Sequence, residues 1–362
     1  MKNQATPTIA HFLLHSVLSD SPPNHALKLA YKDLGYSVDE YSQDADSSTN
    51  HTGVSFGFRW LVKNIWRSHW RRYSAFSCTS EDPVPLAGIL AFVWRKLLIF
   101  LADEIKSGTY RGDRPERWKQ LCRWAMRRAT ITIVNDDSRI KLQQEYAQLS
   151  SSHTVVVYPG CFIDPPKSGD ANELRKGWGV KKNEKVVCFS GACNLTTGID
   201  LALDALNAND NIRVVTQPLS ITDMDQFFLD RLNYSDRLYV QKERLTWRDA
   251  WASAGAADIG VAFYRNQAPQ FQNMGVSSNR LCMFLAMGVP VIVNKQPSFD
   301  FLHEFECGIQ VETQEEFDKA IKTILDNLDV YKKNALRCTK EYINTKGRYE
   351  TLHAQIKSCL EA

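Results

Sequence analysis

The segment Ser277–Asn294 reads SSNRLCMFLAMGVPVIVN, and its pattern predicts a polar turn, a helix, a sharp break and a strand. The apolar side of the predicted helix repeats at the spacing i, i+3, i+4 and i+7: Leu281, Phe284, Leu285 and Gly288. Gly288 suits the position just after a helix, and Pro290 cannot continue one. The β-branched run Val289–Val293 is typical of a parallel strand that is buried on both faces.

The open end of this helix carries residues that suit an anion. Ser277, Ser278 and Asn279 are favourable N-cap residues, and Arg280 adds a positive charge. A helix N-terminus presents free N–H groups and the positive end of the helix dipole, so it is a common phosphate site. The alternative is a capped helix that packs on a sheet and holds no ligand. The segment alone leaves both interpretations open.

The order of motifs in this part of the chain resembles the signature of GT-B glycosyltransferases, especially the broad retaining family often numbered four. The matching motifs are SSNR (277–280), FLA (284–286), GVPVI (288–292) and CGIQV (307–311). The following EEFDKAI (315–321) resembles the next helix of that family. In the family the helix N-terminus holds the diphosphate of a nucleotide sugar, and the resemblance implies the same role for residues 277–280.

Alternating strands and helices along the chain predict an α/β protein with doubly wound parallel sheets. The predicted strands are Thr8–Val17, Tyr36–Tyr41, Leu97–Leu101, Thr130–Val134, Val155–Tyr158, Lys185–Phe189, Arg213–Thr216, Leu238–Val240, Asp258–Phe263, Val289–Val293 and Ile309–Val311. With the resemblance, this pattern implies the GT-B fold, in which two Rossmann-like domains face a cleft. We expect an acceptor-binding domain over residues 1–165 and a nucleotide-sugar domain over 166–335. A C-terminal helix, 336–362, should cross back to the first domain.

Composition restricts the classes of function. The chain has 362 residues, of which 44% are hydrophobic and 23% charged, as in a globular protein of about two domains. Its net charge of +3 is too small to indicate a nucleic-acid binder. Nine cysteines without close pairing predict reduced thiols, and no apolar run reaches the length of a membrane span. We expect a cytoplasmic protein, and a second hypothesis is that it attaches peripherally to the inner face of the membrane.

Doubly wound sheets bind ligands at the carboxyl ends of their strands, where several loops of the second half lie. The resemblance implies donor or diphosphate contacts at Gly191, Asn194, Arg265, Gly275, Ser277, Ser278, Asn279 and Arg280, and contacts with the nucleotide base at Lys242 and Leu245. Gly191 lets a ligand approach the backbone, and the guanidinium of Arg265 suits phosphate oxygens. A tight turn at Gly191 and plain surface charge at Lys242 are the structural alternatives.

Two departures from the family pattern affect the expected chemistry. The retaining family carries a spaced pair of glutamates, one beside the donor sugar and one at the ribose. Counted back from Gly288, their positions hold Gly275 and Met283 in this chain. The stereochemical outcome is therefore open, and a degenerate member without activity is an alternative.

In the first half, two carboxylates follow a predicted strand and are candidates for acceptor chemistry. Asp103 and Glu104 come after the strand that begins at Leu97. A carboxylate there can act as general base for an acceptor hydroxyl or can bind sugar hydroxyls. A helix cap is the structural alternative. Asp20, near the first strand-to-helix loop, is a weaker catalytic candidate.

The stretch Phe58–Phe76 predicts a helix that is basic and aromatic. Its basic side chains recur every four residues with tryptophans between them: Arg59, Lys63, Trp66, Arg67, Trp70 and Arg71. The stretch has no acidic residue, which suits a membrane interface with anionic lipid. Arg111–Arg128 adds further basic and tryptophan side chains. An amphipathic helix with its aromatics in the core is the alternative, and no RNA-binding motif accompanies the stretch, so we expect no nucleic-acid partner.

Together these observations predict a glycosyltransferase of the hexosyltransferase type, acting in polysaccharide biosynthesis. It would move a sugar from a UDP- or GDP-linked donor to a hydroxyl of a glycan or lipid-linked acceptor. Because Ser277, Ser278, Asn279 and the helix dipole would stabilise the departing diphosphate, we expect no metal requirement and no cofactor. The alternatives are a non-catalytic GT-B-like partner subunit and a nucleotide-sugar epimerase of the same fold. A nicotinamide-dependent oxidoreductase is disfavoured, because no G-x-G-x-x-G motif opens a βαβ unit.

Overall fold

The computed structural model describes residues 6–44, 51–54, 62–63, 65–105, 115–217 and 226–362. The chain forms two compact units. The first unit consists of Met1–Ile163, Ala268–Gln270 and Thr345–Ala362, and the second of Asp164–Gln267 and Phe271–Asn344. Within the described residues, no helix is both long and apolar enough to cross a membrane.

The strands, labelled in chain order, are β1 (Thr8–Leu13), β2 (Ser37–Ser42), β3 (Thr52–Gly53), β4 (Ala75–Thr79), β5 (Leu97–Ala102), β6 (Ile131–Val134), β7 (Val155–Val157), β8 (Lys185–Ser190), β9 (Ile212–Gln217), β10 (Leu238–Val240), β11 (Ile259–Ala262), β12 (Val291–Asn294) and β13 (Gly308–Val311). The helices are α1 (Pro22–Asp33), α2 (Val84–Val93), α3 (Glu116–Arg127), α4 (Ser138–Ala147), α5 (Ala171–Gly177), α6 (Ile199–Ala208), α7 (Gln226–Leu229), α8 (Trp247–Ala254), α9 (Asn279–Ala286), α10 (Phe301–Glu304), α11 (Gln314–Asp326), α12 (Leu328–Cys338) and α13 (Thr345–Glu361). Short 3-10 turns used below are Ser16–Asp20, Ser68–Arg72, Leu195–Thr197 and Gly275–Ser277.

Both sheets have the strand order of a doubly wound fold. The order is β3-β2-β1-β4-β5-β6-β7 in the first unit and β10-β9-β8-β11-β12-β13 in the second, and all described pairings are parallel. The direction of winding reverses between β1 and β4 in one sheet and between β8 and β11 in the other. Such a reversal opens a crevice at the carboxyl ends of the strands, where ligands bind. The predicted α/β fold with two parallel sheets is confirmed.

The segment from Ser277 to Asn294 folds much as its pattern predicts. Helix α9 is followed by a turn at Gly288, whose φ is +71°, and then by the buried strand β12. In β11, a Cβ added to Gly260 would lie 2.2 Å from Cγ of Phe284 in α9. The missing side chain at Gly260 therefore lets α9 lie directly on the sheet, which fixes the position of the helix N-terminus.

The C-terminal helix α13 packs on the first unit, as the predicted crossing back requires. The hydroxyl of Tyr349 donates to Asp33 at the end of α1, at 2.6 Å. On the inner side of α13, Leu352 and Ile356 are buried in an apolar cluster that also contains residues of α1. The burial of this face explains why a helix at the end of the chain belongs to the unit at its beginning.

The predicted basic helix over Phe58–Phe76 is wrong in the later part of the stretch, whereas Val62 and Lys63 are helical. The segment Ser68–Arg72 is a 3-10 turn, and strand β4 already begins at Ala75. Trp70 is only 1% exposed, and the centroid of its ring lies 5.9 Å from that of Phe12 in β1. Trp70 therefore belongs to the core and not to a membrane surface. Burial of a large aromatic ring outweighs the four-residue spacing of the basic side chains.

Candidate functional site

The carboxyl edge of the second sheet gathers most of the predicted donor residues. Gly191 follows β8, Tyr264 and Arg265 come shortly after β11, and Gly275–Ser278 precede α9. Strands β8 and β11 are neighbours, and the winding of the sheet reverses between them. The residues that follow these two strands therefore line the crevice in which such a sheet binds ligands.

Gly191 leaves room for the side chain of Arg280. The φ of Gly191 is +89°, in a region that glycine adopts readily and other residues rarely do. A Cβ at this position would lie 2.8 Å from Nη2 of Arg280, closer than side chains normally approach. The glycine thus serves both the turn after β8 and the placement of the guanidinium.

The guanidinium of Arg280 is partly buried, and one of its nitrogens is unpaired. Its Nη1 is buried and has no hydrogen-bond acceptor among the described residues, and its Cζ lies 5.7 Å from the ring centroid of Tyr264. Burial raises the pKa of the nearby Cys188 thiol, and the charge of Arg280 partly opposes this effect. A buried donor without an acceptor destabilises the ligand-free protein. The arrangement is typical of a group that pairs with a bound anion.

Ser278 is the N-cap of α9 and lies beside Tyr264. Its Oγ accepts a hydrogen bond from the N–H of Leu281 at 3.0 Å and lies 2.5 Å from the hydroxyl of Tyr264. The next side chain, Asn279, has a buried Oδ1 for which the described residues offer no donor. The first N–H groups of a helix have no acceptor within the helix, so α9 presents donors and the positive end of its dipole beside Arg280.

Gly275 and Ser277 shape the turn that precedes α9. The hydroxyl of Ser277 donates to the carbonyl of Met274, and the N–H of Gly275 donates to the hydroxyl of Ser298 at 3.1 Å. Gly275 has a φ of +43°, and both residues are buried. The Ser277 hydroxyl therefore has its partner within the turn and the Gly275 N–H has one after β12, and the predicted direct contacts with the donor remain a prediction.

Arg265 is engaged in an ion pair. Its Nη1 lies 2.8 Å from both carboxylate oxygens of Asp200 and donates to the carbonyl of Leu195 at 3.2 Å. Its backbone N–H donates to the carbonyl of Thr196 at 2.8 Å. Asn194 caps the same 3-10 turn, and its Oδ1 accepts from the hydroxyl of Thr196 at 2.7 Å. This geometry gives Nη1 of Arg265 a structural role at the start of α6, and the predicted contact of Arg265 with a diphosphate stays a prediction.

The two residues predicted to contact the nucleotide base lie in the loop after β10. Lys242 is exposed and Leu245 is half-buried. Strand β10 is the outermost strand on its side, and β9 separates it from β8. The structure does not bring either side chain to the strands that flank the crevice, so their role stays a prediction.

The carboxyl edge of the first sheet places Asp103 in a polar cluster. Asn135, directly after β6, donates its Nδ2 to Oδ1 of Asp103 at 2.7 Å, and Nη1 of Arg139 donates to the carbonyl of Asp103 at 3.0 Å. Burial raises the pKa of the Asp103 carboxyl above its usual value, and Arg139 and Asn135 counter this only in part. Glu104 beside it is half-buried. A carboxyl with a raised pKa suits a general base, because it takes up a proton more readily.

Asp20 is not part of this cluster. It ends the 3-10 turn after β1, its side chain is 81% exposed, and Lys28 lies 3.7 Å from its carboxylate. Strand β4 separates β1 from β5, which carries Asp103 at its end. The exposed, solvated position of Asp20 does not support the predicted catalytic role.

The residues predicted to form a membrane surface are only partly exposed, and membrane contact stays a prediction. Four of these residues are exposed: Lys63, Trp66, Arg67 and Arg71. Trp70 is buried, and Arg59 lies outside the described residues. Among the described residues, no three His, Cys, Asp or Glu side chains converge so that they could hold a metal ion.

Sequence reasoning did not identify three residues that contribute to these sites. Tyr264 and Asn135 come directly or almost directly after strands at the carboxyl edge, and that position was an available signal. The ion pair of Asp200 and Arg265 joins residues 65 positions apart, and no local sequence pattern predicts it.

Comparison with solved structures identifies the architecture. Sucrose-phosphate synthase from Thermosynechococcus elongatus matches with a TM-score of 0.72 and 14% identity, over 97% of this chain and 98% of that chain. HepE of Anabaena in complex with UDP-glucose matches with a TM-score of 0.72 and 15% identity, over 97% and 99% of the two chains. The chain has the GT-B fold.

The GT-B fold hosts more than one activity among the similar structures. A protein from Listeria monocytogenes assigned as a UDP-N-acetylglucosamine 2-epimerase matches with a TM-score of 0.65 and 12% identity, over 99% of this chain and 97% of that chain. No protein-family model and no curated protein matches this chain. At such identities the fold does not determine the reaction, so the function has to be argued from the site.

Proposed function

We propose that this chain is a glycosyltransferase that moves a hexosyl group from a nucleoside-diphosphate sugar to a hydroxyl of a glycan or lipid-linked acceptor. The observation that carries the proposal is the buried, unpaired Nη1 of Arg280 beside the N-terminus of α9. A diphosphate would supply the acceptors that this guanidinium lacks. Both groups follow the reversal point of the second sheet, which supports a donor site in the second unit.

The donor step uses charge stabilisation. When the bond between the anomeric carbon and the phosphate oxygen breaks, its electron pair leaves with the diphosphate. The first N–H groups of α9, its dipole and the guanidinium of Arg280 face that growing charge, and they act more strongly in the transition state than before it. Gly191 keeps the guanidinium in place. We therefore propose transfer without a metal ion.

The acceptor step is assigned to the first unit. As the acceptor oxygen bonds to the anomeric carbon, its proton would pass to the carboxylate of Asp103. The raised pKa of Asp103 supports this role, and the hydrogen bond from Asn135 holds the carboxylate in one orientation. Glu104 is the adjacent alternative base.

The donor proposed for the first test is a UDP-linked hexose. HepE was crystallised with UDP-glucose, and its fold is the same. A GDP-linked sugar is the second choice, because nothing in the loop after β10 selects between the bases.

Two other functions have specific support. The epimerase among the similar structures favours a reaction on the nucleotide sugar without an acceptor. A non-catalytic partner subunit is favoured by Gly275 and by Met283, an apolar side chain only 3% exposed, at the positions where the resemblance implies glutamates.

Thermal unfolding with UDP, GDP, CDP, ADP or NAD, in the presence of a chelator, tests the donor site. A ligand at a hundredfold excess over its dissociation constant stabilises the folded state by about 2.7 kcal/mol. We expect a shift with one nucleoside diphosphate and none with NAD. The shift should shrink in Ser278→Ala and persist in Arg337→Ala, a control on the surface of α12. No shift with any nucleoside diphosphate would contradict the donor site and leave the partner-subunit alternative.

A product assay separates the transferase from the epimerase. The nucleotide sugar that gave the shift is incubated with and without a glycan acceptor, and the products are resolved by NMR. Sugar on the acceptor supports the proposal, whereas an epimer formed without acceptor assigns the other reaction. Asp103→Asn should lower kcat by about 10²–10⁴-fold without changing the affinity for the nucleotide.

A further inference from the structure

Basic and aromatic side chains collect at the amino edge of the first sheet. Helices α2 and α3 both end at this edge, because β5 and β6 begin there a few residues later. We define the α2–α3 patch by Trp66, Arg67, Phe92, Arg95, Trp124 and Arg128. Five of these side chains are exposed, all except that of Trp124, and Trp66 and Phe92 are 74% and 54% exposed.

The parts of the patch are joined by direct contacts. A Cβ added to Gly88 in α2 would lie 2.6 Å from Cβ of Ala125 in α3, so the two helices touch at this glycine. The indole N–H of Trp94, just after α2, donates to the carbonyl of Ile65 at 3.1 Å. This bond brings the segment that contains Trp66 and Arg67 next to the end of α2.

The end of α3 completes the patch with stacked side chains. The rings of Phe92 and Trp124 lie edge to face, with centroids 5.9 Å apart. The Cζ of Arg128 lies 4.5 Å from the centroid of Phe92 and 5.3 Å from that of Trp124. The guanidinium is thus held at the surface over an aromatic pair, where it can still meet a partner.

The charge of the patch is uniform. Residues 62–76, 83–102 and 117–134, which supply it, contain no Asp or Glu. Within the described part of the chain, no carboxylate forms an ion pair with Arg67, Arg95 or Arg128. The surface therefore presents several unneutralised positive charges together with two protruding aromatic rings.

Arg95 occupies a position where glycine is usual. Its φ is +52°, and the N–H of Lys96 donates to the carbonyl of Ala91 at 2.8 Å, in the pattern that ends many helices. A glycine would adopt this left-handed conformation with less strain. This turn ends α2 and leaves the Arg95 side chain exposed.

We propose that the α2–α3 patch docks the protein on a bilayer that contains anionic lipid. Aromatic side chains favour the level of the lipid head groups, and arginines pair with the lipid phosphates. A second copy of the chain is disfavoured as the occupant, because two such patches would repel each other. This proposal builds on the lipid-linked acceptor of the proposed function, but the docking surface uses residues outside the proposed donor and acceptor sites.

Sedimentation with vesicles tests the proposal. The full chain is mixed with vesicles of phosphatidylcholine alone or with added phosphatidylglycerol, and we expect binding to the anionic vesicles only. Each basic side chain near such a surface contributes roughly fivefold in affinity. The double variant Arg95→Glu/Arg128→Glu should therefore bind at least about tenfold more weakly. Lys319→Glu/Lys322→Glu on α11 changes the net charge equally and should bind as the unchanged protein does.

A second variant guards against misfolding. Trp66→Ala removes a 74% exposed ring and should weaken vesicle binding without lowering stability, whereas Val330→Ala, at a 55% exposed position of α12, should not weaken it. Equal binding to neutral vesicles, no binding to either kind, or equal losses in patch and control variants would overturn the proposal. Binding to single-stranded RNA that depends on the patch, without binding to vesicles, would also overturn it. Nucleotide-induced thermal shifts in the same variants report separately on the donor site.

Discussion

The substitution Arg280→Ala should weaken binding of the nucleoside diphosphate while leaving the free energy of unfolding nearly unchanged. Removal of a buried arginine usually lowers the free energy of unfolding as well as ligand affinity, because the arginine has partners in the folded protein. The Nη1 of Arg280 is buried without an acceptor among the described residues. Its removal therefore takes away a donor that the ligand-free fold does not satisfy.

The contacts of Arg280 set the size of both effects. One hydrogen bond between a guanidinium and a phosphate contributes about 1.5–3 kcal/mol, which corresponds to roughly 10–150-fold in the dissociation constant. For the fold, the loss of the guanidinium over Tyr264, at 5.7 Å, costs about 0.5–1 kcal/mol. Removing an unsatisfied buried donor offsets this, since such a group costs about 1–3 kcal/mol. The free energy of unfolding should stay the same or rise slightly.

Calorimetric titration with UDP and unfolding in urea measure the two quantities. Arg337→Ala is the control, because Arg337 also lies over an aromatic ring, that of Phe305 at 5.4 Å, but on the surface of α12. It should leave the affinity for UDP unchanged. Arg280→Lys keeps the charge without the planar fork and should be intermediate. A fall of more than about 2 kcal/mol in the unfolding free energy of Arg280→Ala, with UDP affinity unchanged, would show that Arg280 is structural and refute the reasoning.

Three further predictions follow from contacts within the second unit. Arg265→Ala should lower the free energy of unfolding by about 1 kcal/mol in urea and affect UDP affinity less than Arg280→Ala does, because its guanidinium is bound to a carboxylate. Gly260→Ala should lower the free energy of unfolding by about 1–3 kcal/mol and also weaken UDP binding, since a Cβ there would lie 2.2 Å from the ring of Phe284 and displace α9. Unchanged UDP affinity would show that binding does not depend on the position of α9. Burial raises the pKa of Glu184, but a main-chain N–H and Arg213 outweigh it, so the pKa lies below its usual value. The stabilisation from Glu184 is therefore complete at neutral pH and is lost as the pH falls below about 4, and Glu184→Gln should flatten this part of a stability–pH profile.

Local signals made the second sheet predictable. The turn at Gly288, the β-branched strand after it and the N-cap at Ser278 each depend on residues that are neighbours in the sequence. Strands β8, β9, β10 and β13 likewise coincide with short apolar runs between turns. Where a strand is buried on both faces, its composition alone is sufficient evidence.

The first unit was less predictable because its elements depend on burial. Helix α2 is apolar on all sides and has no polar stripe, so the periodicity that identifies a surface helix is absent. The four-residue spacing of basic residues before β4 favoured a continuous helix in the sequence analysis. In the structure, Trp70 packs in the core beside Phe12, and this burial decides the local conformation. At the donor site, the approach of Arg280 to Gly191 and the ion pair of Arg265 join distant segments. Such pairings arise from the fold and have no local pattern.

The proposed base and the proposed docking surface lie at opposite edges of one sheet, and this separation restricts the acceptor. Asp103 follows the carboxyl end of β5, whereas Arg95 of the α2–α3 patch precedes its amino end. A strand of six residues spans about 20 Å at roughly 3.3 Å per residue. If the patch faces the bilayer, the reacting hydroxyl has to stand about 20 Å from the head groups, which fits the end of a glycan several sugars long and excludes the first sugar on a lipid. Lipid-linked acceptors of increasing glycan length in anionic vesicles should therefore show little transfer until they span this distance, while the same glycans released from lipid should show no such threshold. Equal transfer to the shortest lipid-linked acceptor would contradict the placement of the base and the membrane at opposite edges.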